Sequence, residues 1–231
     1  MMKDFEYYYN DVPNKGLCRN NLIYTSLISK DRKIFCQWYF NDSDYHKGQN
    51  EIVDPSLMDE KWSREVKFLL EMSENYPNLI PKIIDINYAE RKIFLEIDGY
   101  DFWQQAGPTI QDYDSVVPNW RVQMLDIFKA HRSLGIYKYS LHPSSYFVID
   151  GQLKSINYFF CYKDTDSLIS LKSVLSHISE DRRRDLFPKM TALGINLDTP
   201  TPFKEIQNLA FESFKTNFPN DVMDEAKLIY V

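Results

Sequence analysis

The sequence predicts an α+β fold in two lobes. A small antiparallel sheet with one helix is expected over residues 1–98, and a mainly helical lobe over 99–231. Three observations carry this. Short strand-like runs and one long amphipathic pattern follow the order strand, strand, helix, strand, strand up to Gly99. A stretch rich in Gln, Gly and Pro at 103–118 interrupts the pattern and reads as a loop. Beyond it, apolar residues recur mostly at helical spacing, broken by one tight hairpin signal.

"NLIYTSLIS" alternates apolar and polar residues, and "KIFCQWYF" is nearly continuous; "KDR" joins them, as in a small antiparallel pair. The polar run "NDSDYHKGQNEIVDPS" reads as loop. "SLMDEKWSREVKFLLEMSENY" then places Leu57, Trp62, Val66, Leu69 and Leu70 at helical spacing, with Ser56 as the expected N-cap. "LIPKIIDINYAE" and "RKIFLEIDG" are two further strands, turning at Glu90-Arg91 and ending at Gly99. A helix at 119–134 brings Met124, Phe128 and His131 to one face and stops at Gly135.

The polar turn "SLHPSS" then feeds "SYFVI", Asp150-Gly151 and "QLKSINYFF". Asp-Gly between two apolar runs marks a two-residue hairpin, because both turn positions must accept positive φ. Helices are expected within "SLISLKSVLSHISEDRRRDLFPKMTALG", broken near Pro188, and from the Thr-Pro signal of "TPFKEIQNLAFESFKTNF".

Composition narrows the function. The 231 residues are 44% hydrophobic and 26% charged, which suits a globular protein with a real core. A net charge of −6 argues against nucleic acid as the main partner, and "DRRRD" at 181–185, flanked by acids, reads as a solvated helix face. Only 7 glycines occur, well below the usual share, which counts against a Gly-rich phosphate loop. Cys18, Cys36 and Cys161 form no C-x-x-C and are expected to be free, buried thiols. The N-terminus has neither the basic nor the apolar region of a signal peptide, and no apolar run nears the roughly 18 residues of a membrane span. A cytoplasmic protein is expected.

The run "SLHPSSYFVIDGQLKSINYF" resembles the "DLHPGNIL…G…IDFG" segment of aminoglycoside and choline phosphotransferases, small members of the protein-kinase-like superfamily. Leu141, His142 and Pro143 match outright, the hairpin falls at the family's spacing, and "HRSLGI" before it is similar to the family's "LH…GI". Upstream, "GLCRNNLIYTSLISKDRKIFCQWY" resembles the nucleotide loop, with Gly16 and Asn20 in the places of its Gly and Asn. "SREVKFLLEM" resembles the helix that supplies the lobe-bridging Glu, here Glu65, and "FLEIDGYDF" the hinge strand, in which Glu96 to Asp98 face an adenine.

The resemblance therefore implies a bilobal kinase-like fold and a nominal nucleotide cleft built from Gly16, Arg19, Gln37, Glu65, Glu96 and Asp98. It also shows what is missing. The family's catalytic Asp falls at Ser140, its metal-binding Asn at Ser145, and the metal-binding Asp of its Asp-Phe-Gly motif at Asn157. Tyr158 and Phe159 stand where that motif has Phe-Gly, and the phosphate-gripping Lys falls at Gln37. Serine is no base at neutral pH, and Mg²⁺ prefers a carboxylate oxygen to the neutral carbonyl of Asn157. Without these groups most of the charge stabilisation on which phosphoryl transfer depends is lost.

The expectation is a pseudokinase: a kinase-like binding or regulatory module whose partner is another protein, with a small-molecule ligand as the other option. His142 reads as a structural turn residue and not a replacement base, and Glu65, deprived of a lysine, as solvated or paired with a cation such as Arg19. Ser145 and Asn157 are only nominal metal positions, and Asp164 and Asp166 read as loop residues capping a following helix. The alternative is an active, noncanonical small-molecule or lipopolysaccharide-type kinase, with ATP and Mg²⁺ as its cofactors. Trp38, Tyr146, Phe147, Tyr158, Phe159 and Phe160 are the aromatic residues expected to fill the nucleotide space.

Overall fold

A computed structural model describes residues 4–8, 24–39, 55–107, 110–138, 141–163, 168–170, 200–202 and 218–230. It is a mixed α/β structure that clusters into two units. One holds Met1–Met124 with Pro143–Phe160, the other Leu125–His142 with Cys161–Val231.

The first unit is built on a five-stranded antiparallel sheet. Its strands are β1 (Phe5–Tyr7), β2 (Tyr24–Ser29), β3 (Ile34–Tyr39), β4 (Ile83–Asn87) and β5 (Lys92–Glu96), in the order β1-β2-β3-β5-β4. The "KDR" turn closes β2 onto β3 as expected, with Arg32 at φ 59°. Arg91 turns β4 into β5 at φ 52°, and Gly99 leaves the sheet at φ 75°. The short β1 is an addition to the sequence reading. Its three residues pair with Leu27 to Ser29 at the sheet edge, too few to announce themselves by alternation.

Helix α1 (Pro55–Asn75) joins β3 to β4. Ser56 was the expected N-cap, but it lies inside the helix; Pro55 takes the first turn, where a missing N–H costs nothing. The stripe Trp62, Val66, Leu69 and Met72 is buried, whereas Leu70 turns outward at 41% exposure.

The two faces of the sheet are apolar in different ways. Register pairs Phe35 with Leu95 and Gln37 with Ile93 on one face, and Cys36 with Phe94 on the other. On the second face Leu27, Cys36 and Phe94 form a small buried cluster, with Phe5, Ile34 and Trp38 packed on it. The Lys92 ammonium sits 4.6 Å over the Trp38 ring and reaches Glu90 at 2.6 Å. Cys36 is free and buried, and burial pushes its thiol up to about 12, so it is chemically inert.

The stretch 103–118, expected as loop, contains α2 (Phe102–Ala106) and α3 (Tyr113–Val116). Asp101 caps α2 by accepting from Gln104 N–H, and Asp112 caps α3 through Ser115 N–H. An Asp at each N-cap, Asp101 and Asp112, is the sequence signal for these two starts. Helix α4 (Trp120–Ser133) follows as expected, with Met124, Phe128 and His131 buried and Gly135 at φ 69° ending it.

The Asp-Gly hairpin forms as read. Strands β7 (Tyr146–Ile149) and β8 (Gln152–Ser155), numbered after β6 (Ile136–Lys138), pair antiparallel. Asp150 and Gly151 have φ 52° and 71°, the two positive values of a type I′ turn. Helix α4 reads the hairpin directly. The Gln123 side chain donates to Gly151 C=O at 3.1 Å and accepts from Leu153 N–H at 2.8 Å. Lys154 also donates from Nζ to Asn78 C=O.

In the second unit β6 pairs with β9 (Cys161–Lys163), and β10 (Leu168–Ser170) pairs with β11 (Pro200–Pro202). Both β10 and β11 fall where helices were expected to start, so those two helix starts are corrected to strand. The expected helices between 171 and 199 and from 203 onward lie outside the described residues. Helix α5 (Asn220–Tyr230) buries Val222, Met223, Ala226 and Tyr230. The Tyr230 hydroxyl lies 3.0 Å from His131 Nδ1. Burial, helped by Lys138, holds His131 well below the usual imidazole range, so it is a neutral core residue. Cys161 is buried, as expected.

Candidate functional site

Three of the positions singled out by sequence, Gln37, Asn157 and Ser145, meet within the first unit. Gln37 points from β3 onto the segment after the hairpin, and its Nε2 donates to Asn157 Oδ1 at 2.8 Å. Asn157 Nδ2 in turn donates to Ser145 Oγ at 3.2 Å. Ile156 N–H binds Ser145 C=O at 2.9 Å, which closes the turn Pro143–Ser145 against the end of β8. Gln37 is 0% exposed, Ser145 1% and Asn157 8%. Asn157 adopts φ 63°, the left-handed region that asparagine tolerates better than most residues. These three neutral side chains therefore bond to one another. The remaining lone pairs of Gln37 Oε1 are buried with no hydrogen-bond donor among the described residues.

Glu65 is fully buried, which corrects the solvated alternative; the other, pairing with Arg19, falls outside the described residues. Its Oε2 accepts from Phe159 N–H at 2.7 Å and from the Tyr39 hydroxyl at 3.2 Å. Helix α1 is thus fastened to the turn Tyr158–Phe160 through a backbone donor. Tyr158 and Phe159 are buried, as are Tyr146 and Phe147, whereas Trp38 packs on the opposite face of the sheet.

The outer positions behave differently. Glu96 pairs with Lys82 at 3.1 Å and Asp98 with Lys33 at 2.6 Å, all four side chains being more than half exposed. The Asp98 carboxylate raises the pKa of Lys33. Such pairs contribute little to stability. Leu141 and Pro143 are buried and His142 is half-buried. Gly16, Arg19, Ser140, Asp164 and Asp166 lie outside the described residues, as does the side chain of Phe160.

Three residues of the site were not read from the sequence. Lys61 lies one helical turn before Glu65, is 0% exposed, and holds its Nζ 5.1 Å over the Phe159 ring. Burial, with a contribution from Arg64, lowers its ammonium to about 7. Its place within the apolar stripe of α1 was the available signal. Asp101 is 1% exposed, and burial pushes its carboxyl up to about 6 against the pull of the Tyr8 hydroxyl and backbone donors. Tyr8 bonds to it and carries no sequence signal at all, being one of three consecutive tyrosines.

This donor set does not fit Mg²⁺. Asn157 spends its amide oxygen on Gln37 and its amide nitrogen on Ser145. The Glu65 carboxylate is engaged by Phe159 and Tyr39. Among the described residues no group of three or more His, Cys, Asp or Glu could hold a metal ion. Among them, too, no helix is long and apolar enough to cross a membrane. No protein-family model matches the chain, and no curated protein matches it either.

Proposed function

We propose that this chain is a pseudokinase, a kinase-like protein without efficient phosphotransfer that serves as a binding or regulatory module. The carrying observation is the buried Gln37–Asn157–Ser145 chain of hydrogen bonds. Phosphoryl transfer in this superfamily needs a cation and carboxylates at such positions to neutralise developing charge. Here the same places hold neutral amides and a hydroxyl that satisfy each other. The five-stranded sheet, with its helix between the third and fourth strands and the Asp-Gly hairpin after α4, supports the kinase-like side of the reading.

The proposed partner is another protein, and the proposed compartment the reducing cytoplasm, which agrees with the free thiol of Cys36. The test is a thermal shift with ATP, with and without Mg²⁺ or Mn²⁺, alongside an ATP-turnover assay. The expected outcome is neither a metal-dependent shift nor turnover. Metal-dependent turnover that Asn157→Ala abolishes would make the protein an active phosphotransferase instead.

A further inference from the structure

Tyr8 is held in the first unit as a ligand is held. Its ring is 1% exposed and meets Phe35 edge-on at 5.4 Å and Phe147 edge-on at 6.1 Å. Tyr100 lies at 6.3 Å, and Phe35 and Phe147 themselves meet at 5.1 Å. The hydroxyl donates to Asp101 Oδ2 at 2.7 Å and accepts from Asp101 N–H at 2.8 Å. One residue thus offers an acceptor and a donor side by side to the polar tip of an aromatic ring. Apolar walls with a few convergent polar groups are the usual makeup of a small-molecule site.

The location matters as much as the contacts. Phe35 precedes Gln37 by two residues on the same face of β3, and Phe147 follows Ser145 by two. A β-bridge ties Asp101 to Phe147. Asp101 also lies just past Glu96 to Asp98, the stretch that the kinase resemblance assigns to the base of a nucleotide. Among the described residues the tether is β1, three residues in register with β2 at the sheet edge.

We propose that Tyr8 is an intramolecular plug, a tethered occupant of a ring-binding slot formed by Phe35, Phe147, Tyr100 and Asp101. Its withdrawal with β1 opens the slot to a planar heteroaromatic ring bearing a donor beside an acceptor, the pattern on the edge of a purine. Asp101 Oδ2 accepts from the exocyclic N–H of such a ring, and Asp101 N–H donates to the adjacent ring nitrogen. The purine class rests on the kinase-like reading; the plug rests only on the contacts of Tyr8. A short tether gives the plug an effective concentration in the millimolar range, so a free ring competes poorly while Tyr8 is present.

The test compares wild type with Tyr8→Ala, using p-cresol, which reproduces the tyrosine ring, and adenosine without metal. p-Cresol is expected to raise the melting temperature of Tyr8→Ala and not of wild type. Adenosine is expected to bind the variant roughly tenfold tighter or more by titration calorimetry. Rescue by p-cresol with no response to adenosine keeps the plug and removes the purine assignment, and with it support for the kinase-like reading. Binding of neither ring overturns the plug. Native-state hydrogen exchange on wild type tests the same claim should the variant not fold. The β1 amides must exchange by local opening, faster than those shared by β3 and β5, and exchange only through global unfolding overturns the proposal.

Discussion

Gln37→Leu is expected to leave stability within about 1 kcal/mol of wild type, although Gln37 is fully buried and holds Asn157. The substitution deletes one hydrogen bond and leaves Asn157 Oδ1 without its donor, a loss of about 1–3 kcal/mol. Against this, wild type buries Gln37 Oε1 with no donor among the described residues, a defect of similar size that leucine removes. Leucine also places an apolar side chain of comparable volume among Ile93 and its neighbours, a further gain. Asn157→Ala is the contrast. It leaves both polar atoms of the buried Gln37 amide unbonded, and it puts a Cβ-bearing residue with no local hydrogen-bonding side chain at φ 63°. The left-handed conformation alone costs roughly 1–2 kcal/mol, for a total of about 2–5 kcal/mol. Urea unfolding with a constant slope measures both variants. The reasoning fails if Gln37→Leu is as damaging as Asn157→Ala, because Gln37 Oε1 would then have a partner that matters.

Glu65→Ala should cost about 2–4 kcal/mol and expose the Phe159 amide to rapid exchange, while Glu65→Gln keeps an acceptor and most of the protection; unchanged Phe159 protection in the alanine variant would show that Glu65 does not hold the turn. Asp101 is pushed up from 3.8 to about 6 by burial, so its contribution is fully present below pH 4 and is lost as pH rises through 6. Asp101→Asn should therefore gain relative to wild type by up to about 3 kcal/mol between pH 4 and 7, and a pH-independent difference between the two would refute the assignment. Gly151→Ala should cost about 1–2 kcal/mol, since φ is +71° while a Cβ there meets nothing within 4 Å; a larger loss in denaturant unfolding would point to a packing role instead.

The fold was most legible where chain chemistry is local. Asp150-Gly151 can hardly be anything but a tight turn between two apolar runs, and Gly135 stops α4 where it stands in the sequence. Helix α1 announced itself by its apolar stripe, although its start was misread because Pro55 outranks Ser56 in the first turn. What sequence could not show depends on distant pairing. β1 exists only because Leu27 to Ser29 present a free edge, and β10 only because it meets β11 more than 30 residues later. At the site, the neutral character of Gln37, Ser145 and Asn157 was legible in the sequence, but that they bond to one another was not. Lys61 was hidden because a lysine is ordinarily assigned to a solvated helix face.

The neutral side chains of Gln37, Asn157 and Ser145 make physical sense as a set. A lone lysine at position 37 would bury an ammonium beside Asn157, and a lone aspartate at 157 would bury a carboxylate facing the Gln37 amide and the Ser145 hydroxyl. Either charge would carry a desolvation penalty of several kcal/mol unless paired or bound to a ligand. Once both positions are neutral, the amides bond each other and the space needs no ion. Glu65 remains the exception, and it fits the same logic: its buried oxygen is served by a backbone N–H and a tyrosine hydroxyl, neither of which depends on a bound nucleotide. A carboxylate introduced at one position alone, by Asn157→Asp, should therefore lower stability without creating metal-dependent ATP turnover. Gain of turnover from that single change, measured against wild type at saturating Mg²⁺, would show that the site is only one residue from activity and that the closed amide chain is incidental.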